Sequence, residues 1–337
     1  MNIIVTGGAG FIGSAVIRHL VKHTNYRILN IDKLTYASNL NHLNSIKNSK
    51  LYHFAQADIT DKRKINELFI NFKPQIILHL AAETHVDRSI NNPSTFIQTN
   101  IIGTYQLLES SLNYWRQLKK AEQNSFRFIY ISTDEVYGEL KISDTMFTEQ
   151  SPYAPNSPYS ASKASGDHLV RSWYQTYGLP TIITHSSNNY GPHQFSEKLI
   201  PATITNALAG SPILVYGNGE QIRDWLFVDD HVKALMLILK KGLPGEVYNI
   251  GGNNEQKNIN VVEKICQILD DLSLKKPNKI HSYKELIKHI QDRPGHDFRY
   301  AIDNSKMQDI FNWYPEESFE KGLTKTIVWQ IHQNNTK

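Results

Sequence analysis

A glycine-rich turn near the start of the chain constrains the fold more than any other feature. Gly7, Gly10 and Gly13 follow a short apolar run, Ile3 to Val5, and precede an amphipathic stretch. The first two glycines permit a tight turn, and the third lets the following helix pack closely on the strand. This order predicts a strand, a turn and a helix, which together form the first unit of a parallel sheet.

The first half of the chain repeats this alternation. Its apolar runs are short and nearly continuous, as expected for strands buried on both faces. The predicted strands are 3–6, 27–32, 75–80, 127–131 and 181–184, and the predicted helices lie near 13–23, 61–72, 96–119 and 159–177. The pattern therefore predicts an α/β fold, a Rossmann-type doubly wound parallel sheet.

The second half has a different texture, because prolines punctuate shorter elements after about residue 187. We expect a smaller α+β lobe that is interleaved with the first domain. The predicted division is 1–186 plus roughly 226–250 for the sheet domain, and 187–225 plus roughly 251–337 for the lobe. Gly217, Asn218 and Gly219 separate two apolar runs, 213–215 and 222–228, and predict a hairpin there.

Composition excludes several classes of protein. The chain has 337 residues, with 36 Lys and Arg against 32 Asp and Glu, and its net charge of +4 is not concentrated in any block. We therefore expect neither a nucleic-acid arm nor a membrane patch. No apolar run reaches the roughly 18 residues of a membrane span, and no basic stretch precedes an apolar one at the N-terminus as in a signal peptide.

Cysteine and histidine usage gives no sign of a metal site. Cys266 is the single cysteine, so an intrachain disulfide and a thiolate zinc cluster are excluded and a reducing cytoplasm is expected. It lies in an apolar helical stretch and is predicted to be a core thiol. His19 and His23 are four residues apart but lack the acid of a metalloprotease motif, so we expect a solvated face and no metal.

The glycine turn is typical of dinucleotide binding. Backbone amides at the start of a helix suit a pyrophosphate. Asp32 ends the second predicted strand, 19 residues beyond Gly13. A carboxylate there accepts hydrogen bonds from ribose hydroxyls and repels a 2′-phosphate, which favours NAD over NADP. The alternative is a turn with a purely structural role.

A Tyr-x-x-x-Lys pattern lies at the start of the last predicted helix of the first domain. Ser157 can cap this helix and Pro158 suits its first position. Tyr159 and Lys163 then share one face. The ammonium of Lys163 is expected to lower the pKa of Tyr159 and make it a base toward an alcohol. The alternative is an ordinary surface tyrosine and lysine.

A pair of acids follows the strand that ends at Ile131. Thr133, Asp134 and Glu135 fall at the carboxyl end of a parallel strand, where ligands of such sheets bind. Adjacent carboxylates split their apparent pKa values and can act as one acid and one base. Hydride transfer alone needs neither, so the pair indicates a further proton step, such as elimination of water beside a carbonyl. The alternative is a solvated turn.

These residues resemble the extended short-chain dehydrogenase/reductase (NAD-dependent epimerase/dehydratase) family nearly end to end, and within it the dTDP-glucose 4,6-dehydratases. The Thr-Asp-Glu sequence is the specific part, since the 4-epimerases of the family lack the acid pair. The resemblance rests on seven segments: Leu80 through Ser89, Ile131 through Gly138, Ser157 through Ser165, Ser187 through Pro192, Gln221 through Trp225, Tyr248 through Gly252, and Asp292 through Asp297.

The resemblance implies dehydration of dTDP-glucose to dTDP-4-dehydro-6-deoxyglucose, a hydro-lyase reaction that feeds deoxysugar biosynthesis of the rhamnose type. Tyr159, with Lys163 and Thr133, would remove the 4-hydroxyl proton while hydride passes to NAD. Glu135 would take the C5 proton and Asp134 would protonate the departing 6-hydroxyl. Hydride would then return to C6.

The resemblance also implies two sets of binding residues. Those expected to hold NAD are Gly7, Gly10, Phe11, Ile12, Gly13, Asp32, Lys33, Leu34, Thr35, Asp58, Ile59, Leu80, Ala81, Ala82, Glu83, Thr84, Thr99, Tyr159, Lys163 and Asn189. Those expected to hold the nucleotide sugar are Thr84, Thr133, Asn188, Lys198, Leu199, Leu214, Val215, Tyr216, Arg223, Asn258, Asp292, Arg293, Pro294, Gly295 and His296. Arg223 suits a diphosphate because guanidinium offers a bidentate fork.

The resemblance further implies a homodimer that forms through the helices near 96–119 and 159–177. Tyr105, Leu108, Leu112 and Trp115 form a helical stripe that serves either the core or that interface. Four positions depart from the family pattern without touching the acid–base set. This chain has Thr84 where the family usually has Ser, and His185 where it has a small residue. It has Ser196 in place of the usual Pro and Phe298 in place of the usual Arg.

The same residues are compatible with two other functions. One is a different nucleotide-sugar dehydratase or a 4-epimerase, acting on a UDP- or GDP-linked sugar. The other is a non-catalytic NAD-binding sensor or scaffold, against which the complete set of Tyr, Lys, Thr, Asp and Glu argues.

Overall fold

The computed structural model describes residues 1–272 and 276–335. Seven parallel strands form the central sheet. They are β1 (Asn2–Thr6), β2 (Arg27–Asp32), β3 (Tyr52–Gln56), β4 (Ile76–His79), β5 (Arg127–Thr133), β6 (Thr181–Ser186) and β10 (Val247–Ile250). Their spatial order, β3-β2-β1-β4-β5-β6-β10, is the doubly wound Rossmann order extended by one strand.

Helices cover both faces of this sheet. The α-helices are α1 (Phe11–His23), α2 (Lys62–Phe72), α3 (Val86–Asn91), α4 (Pro93–Phe96), α5 (Thr104–Arg116), α6 (Lys120–Ser125), α7 (Pro158–Tyr177), α8 (Leu199–Ala209), α9 (Val228–Lys241), α10 (Asn258–Asp271), α11 (Ser305–Phe311) and α12 (Phe319–Asn335). Helices α1 and α9 pack on one face, and α2, α5 and α7 on the other. The predicted α/β class is confirmed.

The predicted helix near 96–119 is interrupted. A π-helical segment, Ile97–Gly103, joins α4 to α5. Within it, the side chain of Asn100 accepts from the amide of Glu83 (2.9 Å) and donates to the hydroxyl of Ser162 (2.8 Å). The wider turn therefore brings a polar side chain inward, between the loop after β4 and α7.

The second lobe has its own small sheets and core. Strands β7 (Asn188–Tyr190), β9 (Ile222–Phe227) and β11 (Glu255–Lys257) form one sheet, and β8 (Ile213–Tyr216) pairs in parallel with β12 (Ile287–Ile290). Their apolar side chains pack against α8, α10 and α12. Cys266 is fully buried in this core, and burial raises the pKa of its thiol to about 12.

The hairpin prediction is wrong. Within the described residues, β8 pairs with β12 and β9 pairs with β7 and β11, so the two strands flanking Gly217 and Gly219 do not pair with each other. The turn bonds to other segments instead. The amide of Gly217 donates to Ile290 (2.8 Å), and the carbonyl of Gly219 accepts from Ile259 (3.0 Å).

Across the described residues, no helix is both long enough and apolar enough to cross a membrane.

Candidate active site

The glycine turn brings backbone segments into unusually close contact. Gly7 has φ +71°, and a Cβ atom there would lie 2.7 Å from the Cα of Ala81. A Cβ on Gly13 would lie 2.3 Å from the carbonyl oxygen of Gly7. Only glycine fits at either position. Because α1 begins at Phe11, its first amides face this turn, and the arrangement fits the pyrophosphate of a dinucleotide.

Two cavities open from this turn. One of about 240 Å³ extends toward the ends of β5 and β6 and the start of α7. The other, of about 80 Å³, extends toward the ends of β2 and β3. Together they are lined by all the predicted cofactor residues except Gly10, Leu34 and Asp58.

The three exceptions border the cavities. Gly10 caps the N-terminus of α1. Leu34, at φ +62°, donates its amide to Asp32 (2.8 Å), and Asp58 lies 3.9 Å from the ammonium of Lys33. They shape the site without lining it.

Asp32 is held firmly at the end of β2. Its carboxylate accepts hydrogen bonds from the amide of Ala9 (3.0 Å) and the hydroxyl of Ser38 (2.9 Å), besides the amide of Leu34. A carboxylate has about four acceptor positions, so one is left for a further donor. Asp32 therefore fits a ribose contact while it also anchors the glycine turn.

The start of α7 follows the sequence prediction. The hydroxyl of Ser157 accepts from the amide of Ser160 (3.0 Å), and Pro158 occupies the first helical position. Tyr159 and Lys163 both line the larger cavity. The predicted cap is confirmed.

The predicted lowering of the pKa of Tyr159 is wrong for this structure. Burial, followed by the charge of Glu135, raises the pKa of Tyr159, and a hydrogen bond with Thr133 opposes this. The ammonium of Lys163 instead donates to the carbonyl of Ile131 (2.8 Å). Burial lowers the pKa of Lys163 to about 8, against the opposing charge of Asp167.

The acid pair lies in a short 3-10 helix, Asp134–Tyr137, that follows β5 directly. Asp134 is 2% exposed, so the alternative of a solvated turn is wrong. The hydroxyl of Thr133 donates to Oδ1 of Asp134 (3.3 Å), whereas Oδ2 of Asp134 has no partner within the described part of the chain.

The two acids differ in their surroundings. Burial and then the charge of Glu135 raise the pKa of Asp134 well above its usual range. Burial also raises the pKa of Glu135, but Lys198 and Arg293 oppose this rise. Asp134 is therefore suited to hold a proton while Glu135 is ionised, as expected of an acid and a base set close together.

A third cavity, of about 330 Å³, lies between the sheet domain and the lobe. It is lined by ten predicted nucleotide-sugar residues, including Lys198, Arg223 and Arg293, and it meets the larger cofactor cavity at Glu135, Asn188 and Lys198. The other seven lining residues from that prediction are Leu199, Leu214, Val215, Tyr216, Asn258, His296 and Asn188. Thr84 and Thr133 line the cofactor cavity instead, and Asp292, Pro294 and Gly295 line none of the three.

Arg223 gives this cavity a buried positive charge. It is 5% exposed, donates to the carbonyls of Ile222 (2.7 Å) and Asp297 (2.8 Å), and lies 4.3 Å from the ring centre of Tyr300. Cations at one end and acids at the junction suit an anionic substrate whose reacting part reaches Glu135.

Comparison with known proteins agrees with this arrangement. The family model described as GDP-mannose 4,6 dehydratase matches residues 4–326. A dTDP-glucose 4,6-dehydratase from Escherichia coli is 57% identical over 340 residues, covering 98% of this chain and 94% of the relative. The chain belongs to the dTDP-glucose 4,6-dehydratase family. The broader family model includes this chain, and the similarity to the Escherichia coli enzyme identifies the branch of that family to which the chain belongs.

Solved structures of dTDP-glucose 4,6-dehydratases share the fold. The enzyme from Bacillus anthracis, solved in complex with NAD, is 43% identical with a TM-score of 0.86 and covers 99% of this chain and 98% of its own. The Streptomyces venezuelae enzyme, with NAD and a dTDP ligand bound, is 37% identical with a TM-score of 0.89. The match covers 100% of this chain and 98% of that enzyme.

Sequence reasoning missed several residues that line these dehydratase cavities. Ala37 and Phe195 line the cofactor cavity, and His85, Glu197 and Tyr300 line the third cavity. Glu197 precedes the predicted Lys198, so its position in the chain was the available signal. Its carboxylate pairs with Arg88 (2.5 Å), which only the folded chain reveals.

In residues 1–272 and 276–335, no group of three or more His, Cys, Asp or Glu side chains could hold a metal ion. The rings of His19 and His23 lie 4.7 Å apart on α1.

Proposed function

We propose that this chain is an NAD-dependent hydro-lyase that converts dTDP-glucose to dTDP-4-dehydro-6-deoxyglucose and water. One observation carries the proposal. The acid pair of Asp134 and Glu135 borders the same cavity as the Tyr159–Lys163 pair, and Glu135 also borders the cavity suited to the nucleotide sugar. Family membership supports the same reaction.

NAD fits the two cavities at the glycine turn, with Asp32 placed for the ribose and α1 for the pyrophosphate. When bound, NAD supplies a hydride acceptor, a hydride donor and a positive ring charge that favours a phenolate. The chain itself supplies the proton transfers and holds both ligands.

Tyr159 acts as the base in the first step and takes the proton of the 4-hydroxyl. Burial opposes formation of its phenolate, and the Thr133 hydrogen bond assists it. Thr133 also orients the reacting oxygen. Lys163, buried and protonated below about pH 8, adds positive charge to the site.

Glu135 and Asp134 act in the second step. Once C4 is a ketone, the C5 proton becomes acidic, and Glu135 removes it. Asp134 donates its proton to the 6-hydroxyl, which leaves as water. A proton returns to C5 as hydride returns to C6, so the atoms balance as loss of one water from the sugar.

The nucleotide diphosphate occupies the third cavity. Lys198, Arg223 and Arg293 offer positive charge there, and guanidinium groups suit diphosphate oxygens. We also propose that residues 1–186 with roughly 226–250 hold NAD and that 187–225 with roughly 251–337 hold the nucleotide sugar, since ligands bind where such units meet.

Incubation with dTDP-glucose, UDP-glucose and GDP-mannose side by side tests the function. The expected result is a product lighter by one water, formed fastest from dTDP-glucose. Faster dehydration of another sugar nucleotide would assign a different substrate. A product of unchanged mass would indicate an epimerase, and no conversion of any sugar would indicate a sensor or scaffold.

We further propose a cytoplasmic homodimer that associates through the helices near 96–119 and 159–177. Leu108 and Leu112 of the predicted stripe are buried in the core, but Ile97, Ile102 and Tyr105 on the same helical segment are 50%, 38% and 37% exposed. Light scattering should give twice the chain mass, and Ile97→Asp should shift it toward one chain. The single cysteine is consistent with a reducing compartment.

A further inference from the structure

A buried polar network lies behind the proposed catalytic residues. His185, on β6, is fully buried. Its Nε2 lies 3.0 Å from the Oδ2 of Asp167 on α7, and its Nδ1 lies 2.8 Å from the hydroxyl of Tyr137. Ser132 on β5 donates its hydroxyl to the same oxygen of Asp167 (3.1 Å).

The donors and acceptors of this network determine where its protons lie. Tyr137 donates its hydroxyl proton to the side-chain oxygen of Asn249 (2.9 Å), and the amide nitrogen of Asn249 donates to the carbonyl of Phe147 (3.2 Å). The Tyr137 oxygen therefore accepts from His185, so Nδ1 carries a proton.

The other ring nitrogen needs a proton as well. A lone pair on Nε2 would face a carboxylate lone pair at 3.0 Å, which is repulsive. The hydroxyl of Tyr153 lies 3.1 Å from the same nitrogen, but it also bonds to Asp167, so its proton goes to the carboxylate and its oxygen accepts from Nε2. Ser132 already donates to this carboxylate, which favours its ionised form. Each ring nitrogen of His185 therefore faces an acceptor, which is the hydrogen-bond pattern of an imidazolium beside a carboxylate.

This pair connects the elements that carry the proposed chemistry. Asp167 lies one helical turn beyond Lys163 on α7. Ser132 directly precedes Thr133, and Tyr137 ends the short helix that carries Asp134 and Glu135. A single ion pair therefore holds the Tyr–Lys helix and the acid-bearing segment in one arrangement.

We propose that His185 and Asp167 form a buried imidazolium–carboxylate pair of positioning residues, which fixes the two catalytic elements relative to each other and keeps a negative charge near Lys163. The inference rests on the proposed function, because Lys163 is significant only if it assists proton removal from a substrate hydroxyl.

The charge balance gives opposite predictions for the two residues. Asp167 is the neighbouring charge that opposes the lowered pKa of Lys163. Neutralising Asp167 should lower that pKa further, whereas neutralising His185 removes a competing cation and should raise it. The titratable groups that face the pair from the surrounding elements are Lys163, Tyr130, Tyr137, Tyr153 and Tyr159. Asp134 and Glu149 lie one step further away, next to Tyr137.

The pH dependence of transient NADH formation in a single turnover tests these directions. Asp167→Asn should move the alkaline limb to lower pH by about one unit. His185→Gln, which keeps an amide donor, should move it to higher pH by a smaller amount. The double variant should lie near the wild type, because the pair is neutral overall. The proposal would be overturned if the profiles of both single variants moved in the same direction, or if neither profile moved.

Asp230→Asn is the matched control. Asp230 is also 1% exposed on a helix and bonded to two backbone amides, but it lies on α9 near α12. This variant should lose stability without moving the pH profile. A shift equal to that of Asp167→Asn would mean that the profile reports general loosening of the fold, and the proposal would fail.

Nitrogen-15 NMR of histidine-labelled wild-type protein provides a readout without substrate. The His185 signals, assigned by their loss in His185→Gln, should show a proton on both ring nitrogens at neutral pH. One bare ring nitrogen would overturn the ion pair even if turnover is normal. Two protonated nitrogens in a protein that dehydrates no sugar would retain the pair and overturn only the proposed function.

Discussion

Replacing Asp134 with Asn should separate catalysis from stability. Asp134 is 2% exposed, and its pKa is raised so that it holds a proton. Among the described residues, its carboxyl group accepts one hydrogen bond, a long one from Thr133 (3.3 Å). Asn has nearly the same shape and is also neutral, so the free energy of unfolding should change by less than about 1 kcal/mol. Loss of a positioned acid costs about 10²–10⁴-fold in rate, or about 2.7–5.5 kcal/mol of activation free energy.

Asp224 is the matched comparison. It is also 2% exposed, but its two oxygens accept from the amides of Gly252 (2.7 Å) and Asn254 (2.6 Å). Asp224→Asn turns an NH₂ group toward one of these amides, which should cost about 1–3 kcal/mol of stability. Its dehydration rate should stay within about tenfold of the wild type, well below the loss expected for the acid.

Chemical denaturation and single-turnover absorbance measure the two effects. With enzyme in excess over dTDP-glucose, Asp134→Asn should form NADH and then stall before water is lost. Glu135→Gln should behave in the same way. A loss of only about twofold in either variant would refute the assigned roles. Failure to form any NADH would show that the acids serve binding instead, and wild-type stability of Asp224→Asn would refute the comparison.

Three further predictions concern the cofactor site and pH. Asp32→Ala should weaken NAD binding and reduce the preference for NAD over NADP. An unchanged preference in binding titrations would contradict the proposed contact of Asp32 with the ribose. Because the pKa of Lys163 is about 8, hydride transfer should be about tenfold slower at pH 9 than at pH 7, whereas a flat profile would contradict its role. The pKa of buried His231 is lowered from 6.5 to about 3, so the unfolded chain binds the proton first as pH falls. Stability should therefore drop by about 2 kcal/mol between pH 7.5 and pH 5. His231→Gln should lose about 2 kcal/mol less over that interval, and equal acid sensitivity in a denaturation series would contradict this.

The central strands could be predicted because a parallel strand that is buried on both faces has a sequence that is a short, nearly continuous apolar run. β1 and β4 have this pattern, and nearly all their side chains are buried. β3 was missed since it lies at the sheet edge, where Tyr52, His53 and Phe54 alternate without an apolar run and remain partly exposed. Position in the sheet, rather than strand propensity, decided which strands were visible in the sequence.

Two errors share a cause in long-range contacts. The Gly217–Gly219 turn has a local hairpin signal, but the strand that pairs with β8 lies about 70 residues later and competes for the same edge. The pKa of Tyr159 depends on burial and on where the Lys163 ammonium points, which spacing along a helix does not determine. In contrast, the Asp134–Glu135 pair was predictable because its chemistry needs only adjacency at a strand end.

The central claim is that hydride leaves C4 and returns to C6 of the same sugar. Turnover of dTDP-glucose labelled with deuterium at C4, followed by NMR of the product, tests this most directly. The account predicts that the deuterium appears at C6, that one water is lost, and that no NADH accumulates over many turnovers. Deuterium accumulating in NADH would instead indicate a simple dehydrogenase, and deuterium remaining at C4 would contradict the account.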